Sequence, residues 1–101
     1  MTTIGNISLP GFPLLLAPME DVSDPPFRAV CKTNGADLMF SEFISSEGLI
    51  RDAIKSRMKL DFSEEERPFG IQIFGGDEEA MAMSARICET VNPDLVDINF
   101  G

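Results

Sequence analysis

Three polar side chains sit inside runs that are otherwise apolar. Gln72 interrupts Phe69-Gly70-Ile71-Gln72-Ile73-Phe74, and Asp97 and Asn99 interrupt Leu95-Val96-Asp97-Ile98-Asn99-Phe100. A polar group in a buried strand must find a partner or it costs about 1–3 kcal/mol. Each of the three could satisfy a neighbouring strand or loop. For Asp97 the spacing leaves a structural and a functional reading open; Gln72 and Asn99 lean toward the functional one. An amide offers a donor and an acceptor together, which suits the edge of a planar heterocycle such as a flavin or a pyrimidine. Pro18 and Met19 complement them: a stiff backbone beside a soft, polarisable side chain could wall a flat ring, although Met at such a place also serves as core. Glu42 and Glu47 could form a carboxylate pair for acid–base work, with a helix-cap role the alternative for Glu47.

The elements that must position these groups follow from periodicity. Four short apolar runs read as strands: Leu14-Leu15-Leu16-Ala17, Leu38-Met39-Phe40, 69–74 and 95–100. The first is continuous rather than alternating, as expected of a strand covered on both faces. Between them lie three helical patterns. The first is capped by Ser23 or Asp24, has Pro25 in its first turn, turns Phe27, Val30 and Cys31 inward and stops at Gly35. The second follows Ser45-Ser46-Glu47 and carries Leu49, Ile50, Ala53, Ile54 and Met58, with Gly48 weakening its start. The third opens at Gly76-Asp77-Glu78-Glu79, with acids suited to the positive end of the helix dipole. Its inner face is Ala80, Met83, Ser84, Ile87, Cys88 and Val91, and Pro93 ends it. A short prelude, Ile4 to Phe12, reads as a small hairpin.

Composition narrows the function. The chain has 101 residues, 44% of them hydrophobic and 25% charged, which is enough for one small soluble domain. No apolar run is long enough to span a membrane, and the N-terminus lacks a signal-peptide pattern. The expected location is the cytoplasm. The net charge of −9 argues against direct nucleic-acid binding by this segment, whose phosphate contacts would need a basic surface. Glu64-Glu65-Glu66 reads as a solvated loop, not a metal site. There is no His, so a Cys/His zinc site and a His-based triad are both excluded. Cys31 and Cys88 fall within helical patterns and read as buried thiols acting as small apolar side chains.

Alternating strands and helices imply parallel strands joined by crossovers. Four such strands could form an open doubly wound sheet or the first part of a (β/α)8 TIM barrel. A dinucleotide-binding sheet would want a glycine-rich turn after the first strand. Here that strand runs into "APMEDVSDPPF", without a glycine. The barrel is therefore the expected architecture, with 1–101 forming a partial barrel domain that breaks off after its fourth strand. A whole barrel takes about 250 residues. In a barrel, function gathers at the carboxyl ends of the strands. Those ends carry Pro18-Met19-Glu20, Ser41-Glu42-Phe43, Gln72 with Gly75-Gly76, and Asp97 with Asn99.

Three blocks, in this order, carry a family resemblance: "LLLAPMEDVSDPPFRAVCKTNGADLMFSEFISSEGL", "RPFGIQIFGGDEEAMAMSARI" and "PDLVDINFG". Together they cover essentially the whole chain. The sequence resembles the bacterial tRNA-dihydrouridine synthases, the B-type most closely. The resemblance implies an FMN-containing (β/α)8 barrel followed by a small helical domain. NADPH would reduce the flavin, which would reduce the C5–C6 bond of specific uridines in tRNA, with a cysteine as general acid. It places FMN-binding roles on Pro18, Met19, Glu20 and Gln72, and sets Asn99 near flavin and substrate. Glu20 stands where the family often has a small residue, which puts a side-chain role there in doubt but not a backbone contact. The tRNA surface would lie mostly in other parts of the protein, which eases the charge argument.

The family's acid lies in a Gly-Cys-Pro motif, so the expected cysteine would follow Gly101 and no catalytic residue is assigned within the chain. The expectation is a truncated chain that is inactive alone, and no metal or membrane is called for. Two alternatives stay open. One is another FMN-dependent barrel oxidoreductase; the other is a non-catalytic half-barrel completed by a partner chain.

Overall fold

The computed structural model describes residues 1–101. The chain begins with an antiparallel hairpin of β1, Thr2–Ile4, and β2, Ile7–Leu9. Gly5 turns it in the left-handed region, at φ 56°, where glycine is strain-free. This is the expected prelude, set a few residues earlier than the sequence suggests.

Helix α1, Pro25–Thr33, is capped by Asp24, whose carboxylate accepts from the Phe27 N–H at 3.0 Å. Two short strands follow, β3 at Met39–Phe40 and β4 at Ile44–Ser45. Two short helices come next, α2 at Ser46–Ile50 and α3 at Ile54–Met58, then a single 3-10 turn at Glu64–Glu66. The long central strand β5, Phe69–Phe74, leads to α4, Glu78–Glu89, and to β6, Leu95–Ile98. Helix α4 is capped as expected, with the Asp77 carboxylate accepting from the Ala80 N–H at 2.8 Å.

The sheet is parallel throughout. Its strands lie side by side in chain order: a bridge joins Leu15 to Leu38, β3 and β4 flank one side of β5, and β6 flanks the other. A dinucleotide-binding sheet would instead reverse its order at a switch point. One face of β5 presents Phe69, Ile71 and Ile73 to a core made with Met39, Ile44, Leu49, Leu60 and Cys88. The other face presents Gly70, Gln72 and Phe74.

Several expectations are corrected. The run 14–17 contributes a single bridge rather than a strand covered on both faces, and Leu14 and Leu15 stay about half exposed. The second helix is broken in two. Asp52 adopts a left-handed φ of 59° and the Ala53 N–H turns back to the Gly48 carbonyl at 3.0 Å. The break lets Ser56 fold onto Gly48, where a Cβ would run into its hydroxyl, and it leaves Ile54 and Met58 in solvent instead of in a stripe. Helix α1 also turns a different face inward: Phe27 and Val30 are exposed and Arg28 is buried.

The burial of Arg28 has a visible cause. Its guanidinium pairs with Glu66, donates to the carbonyls of Ser23 at 2.9 Å and Asp61 at 3.0 Å, and lies 4.7 Å from the Phe69 ring centroid. The acidic turn is thus solvated at Glu64 and Glu65 but not at Glu66, whose second oxygen accepts from the Ser63 N–H at 2.7 Å. In α4 the buried positions are Ala80, Ser84 and Cys88, while Met83 and Val91 are partly in solvent.

Candidate functional site

The polar residues of β5 and β6 meet at the carboxyl end of the sheet. Parallel register sets Gln72 directly across from Asp97. The Gln72 Nε2 donates to Asp97 Oδ2 at 2.7 Å, and Asn99 Nδ2 donates to Gln72 Oε1 at 3.3 Å. Asn99 Oδ1 in turn accepts from the Gly101 N–H at 2.7 Å. The Asn99 backbone N–H extends the ladder by donating to Ile73 at 2.9 Å, which fixes the Asn99 Cα against β5. Gln72 is 8% exposed, so its amide is held among protein atoms.

The floor of this cluster is tightly filled. A Cβ on Gly70 would lie 2.5 Å from Leu95 Cδ1 and 2.9 Å from Phe40 Cδ1. Glycine is required there because two large side chains close over the backbone. The Gln72 N–H donates to the Ser41 hydroxyl at 3.1 Å, where the break between β3 and β4 removes a backbone acceptor. Ser41 was notable in the sequence only as a strand end; a small hydroxyl residue beside an apolar run was the one available signal.

The Pro18–Glu20 segment forms a separate corner beyond the Leu15 bridge. Ser23 shapes it: its hydroxyl accepts from the Met19 N–H at 2.9 Å and donates to the Met19 carbonyl at 3.0 Å. Asp21, at a left-handed φ of 61°, donates its N–H to Glu42 Oε1 at 2.5 Å. Glu20 pairs with Lys59 Nζ at 3.2 Å. Glu42 therefore anchors the corner and Glu47 lies exposed in the first turn of α2, capped by Ser45 instead. The Ser41 hydroxyl links this corner to the Gln72 cluster, accepting from the Gln72 N–H at 3.1 Å and donating to the Glu42 carbonyl at 2.8 Å.

The donor and acceptor inventory fits a flat heterocycle. After its bonds to Asp97 and Asn99, Gln72 keeps one N–H and one carbonyl lone pair; Asn99 keeps one Nδ2 proton. The Glu20 backbone N–H has no partner within the chain. Donors and acceptors of these kinds are what the alternating carbonyl and N–H edge of a flavin would require.

The cysteines stand apart. Cys88 is fully buried, and desolvation pushes its thiol up to about 11. Cys31 is half-buried on α1. No cluster of three or more His, Cys, Asp or Glu could hold a metal, and no helix is long and apolar enough to cross a membrane.

Residues 15–101 match the family model Dihydrouridine synthase (Dus). The chain belongs to the dihydrouridine synthase family. It is 42% identical over 89 residues to a probable tRNA-dihydrouridine synthase of Aquifex aeolicus, covering 87% of this chain and 28% of that protein. It is 38% identical over 98 residues to the tRNA-dihydrouridine synthase B of Pseudomonas aeruginosa, covering 97% of this chain and 29% of the relative. The tRNA-dihydrouridine synthase B of Pseudomonas syringae pv. tomato is 39% identical over 88 residues. The chain thus spans between a quarter and a third of the length of these curated relatives. All three sequence blocks that carried the resemblance lie wholly or almost wholly within the matched residues.

Proposed function

We propose that residues 1–101 form the flavin-binding arc of a (β/α)8 barrel in a tRNA-dihydrouridine synthase. The observation that carries the reading is the amide cluster: Gln72 and Asn99 joined to each other and to Asp97 at the carboxyl end of a parallel sheet built in chain order. Barrel enzymes collect their chemistry at that end. Family membership supplies the reaction class.

In this reading Gln72 and Asn99 present amide groups to the FMN ring edge, and Pro18 and Met19 form one wall. Glu20 contributes its free backbone N–H, while its carboxylate is committed to Lys59. FMN held there by Gln72, Asn99, Pro18 and Met19 would supply the hydride-transfer chemistry between NADPH and a uracil ring. The chain's own residues orient the ring and keep water from one of its faces. Neither cysteine here suits the acid role, since Cys88 is sealed in the core and Cys31 sits on a helix. The proposed acid is the cysteine that the family resemblance implies, outside these residues. The tRNA surface is proposed to lie outside this acidic segment, and the protein to work in the cytoplasm.

The test begins with the complete reading frame. The coding DNA after the Gly101 codon is expected to continue with Cys-Pro. The encoded protein is expected to purify with FMN and to convert uridine to dihydrouridine in unmodified tRNA with NADPH. A stop codon directly after Gly101, or a protein that takes no flavin, would defeat the reading. Turnover of a free pyrimidine in place of tRNA would move it to another flavin barrel oxidoreductase.

A further inference from the structure

We infer that Asp97 is a positioning residue that locks the orientation of the Gln72 amide, and so decides which of its two ends meets a bound ring. The inference rests on the flavin reading above for its consequence, but not for its geometry.

A carboxamide is nearly symmetric in shape and opposite in chemistry at its two ends. Turned by half a rotation, it exchanges a donor for an acceptor. A buried amide that contacts a ligand must therefore be held in one orientation, or half its bonds become mismatches. Asp97 is in register with Gln72 and 2.7 Å from its Nε2. An ionised carboxylate accepts and never donates, so only the NH2 end of Gln72 can face it. The reversed amide would set carbonyl oxygen against carboxylate oxygen. Asn99 reads the same orientation from the other end, donating to Gln72 Oε1 at 3.3 Å. Asn99 is itself held by the Gly101 N–H at its Oδ1. Two of these groups have a single polarity: the Asp97 carboxylate only accepts and the Gly101 N–H only donates. The carboxylate is the one in direct contact with Gln72, whereas the Gly101 N–H acts on Gln72 only through Asn99.

This separates Asp97 from a strand-pairing role. The β5–β6 ladder is carried by backbone bonds and by Leu95 over Gly70, neither of which uses the Asp97 carboxylate. Replacing the carboxylate with an amide of the same shape removes the lock and leaves the packing.

The experiment compares the protein from the complete reading frame with its D97N and D97L variants. Three quantities are read: FMN affinity, the visible absorption band of the bound flavin, and the side-chain amide NMR signals of Gln72. In D97N the Gln72 amide is expected to populate both orientations. Affinity then falls about twofold if they are equal and about tenfold if the competent one drops to a tenth. The flavin band shifts, the Gln72 Nε2 signals double or broaden, and the melting temperature changes little. D97L, which offers no acceptor, is expected to weaken FMN at least as much as D97N. Unchanged FMN affinity and an unchanged, single Gln72 amide signal in D97N would overturn the inference. So would a loss of affinity that merely tracks a loss of folding in both variants. If the parent protein binds no flavin, the functional reading fails, and the Gln72 amide signals of parent and D97N still decide the lock.

Discussion

Arg28 and Glu66 form a buried ion pair across 38 residues of sequence, with the two side chains 2% and 7% exposed. The pair joins the first helix to the acidic turn that precedes the central strand. It also reaches the candidate site, because Arg28 donates to the Ser23 carbonyl and the Ser23 hydroxyl holds both backbone groups of Met19. Every charged group in the pair has additional hydrogen-bond partners, which is what lets a buried pair persist.

Removing one member should be costly. R28M is expected to leave Glu66 buried and unpaired and to destabilise the protein by about 3–5 kcal/mol, whereas R28M/E66L should recover most of that loss. Urea denaturation of the parent, single and double variants measures both. A single variant with unchanged stability would show that the carboxylate reaches water.

The Met19 corner depends on one hydroxyl. S23A removes two hydrogen bonds and is expected to cost about 1–3 kcal/mol. Amide hydrogen exchange should accelerate at Met19 and stay unchanged in β5. Equal protection of Met19 in both proteins would show that the corner is held by other contacts.

Ser46 carries a buried hydroxyl without a partner, directly against Gly75. S46A is expected to leave stability unchanged or raise it by about 1 kcal/mol, since no bond is lost. G75A drives a methyl group into that hydroxyl and should cost about 1–3 kcal/mol, part of which the S46A/G75A double variant recovers. Thermal unfolding ranks the three variants, and a destabilised S46A would mean that the hydroxyl is bonded after all.

Cys88 links stability to alkaline pH. Burial raises its folded-state value from 9.0 to about 11, so the unfolded chain gives up this proton first as pH rises. The contribution is whole below about pH 9 and is lost as pH climbs through about 11, on the order of 2 kcal/mol in all. C88A should flatten this part of the stability profile between those pH values. Thiol labelling at pH 8 should modify Cys31 in the native protein and Cys88 only after unfolding. Rapid native labelling of Cys88 would contradict its burial.

The sequence by itself determined the alternation of elements, because apolar periodicity and end signals are local. Asp24, Asp77 and Pro93 mark helix ends with groups that act within one turn. Gln72, Asp97 and Asn99 stood out as polar residues in apolar strands, and the order of the three family blocks was enough to place the chain among the dihydrouridine synthases. Tertiary structure decided what local pattern could not carry. Whether Asp97 served a neighbour or a ligand depended on strand register, which set it against Gln72. The inward face of α1 depended on Glu66, a distant partner able to bury an arginine that periodicity assigns to solvent. The second helix depended on Ser56 finding space over Gly48, which a continuous helix could not offer. In each case the deciding energy comes from contacts between segments far apart in the chain: hydrogen bonds, an ion pair and close packing whose partners are fixed only when the sheet assembles.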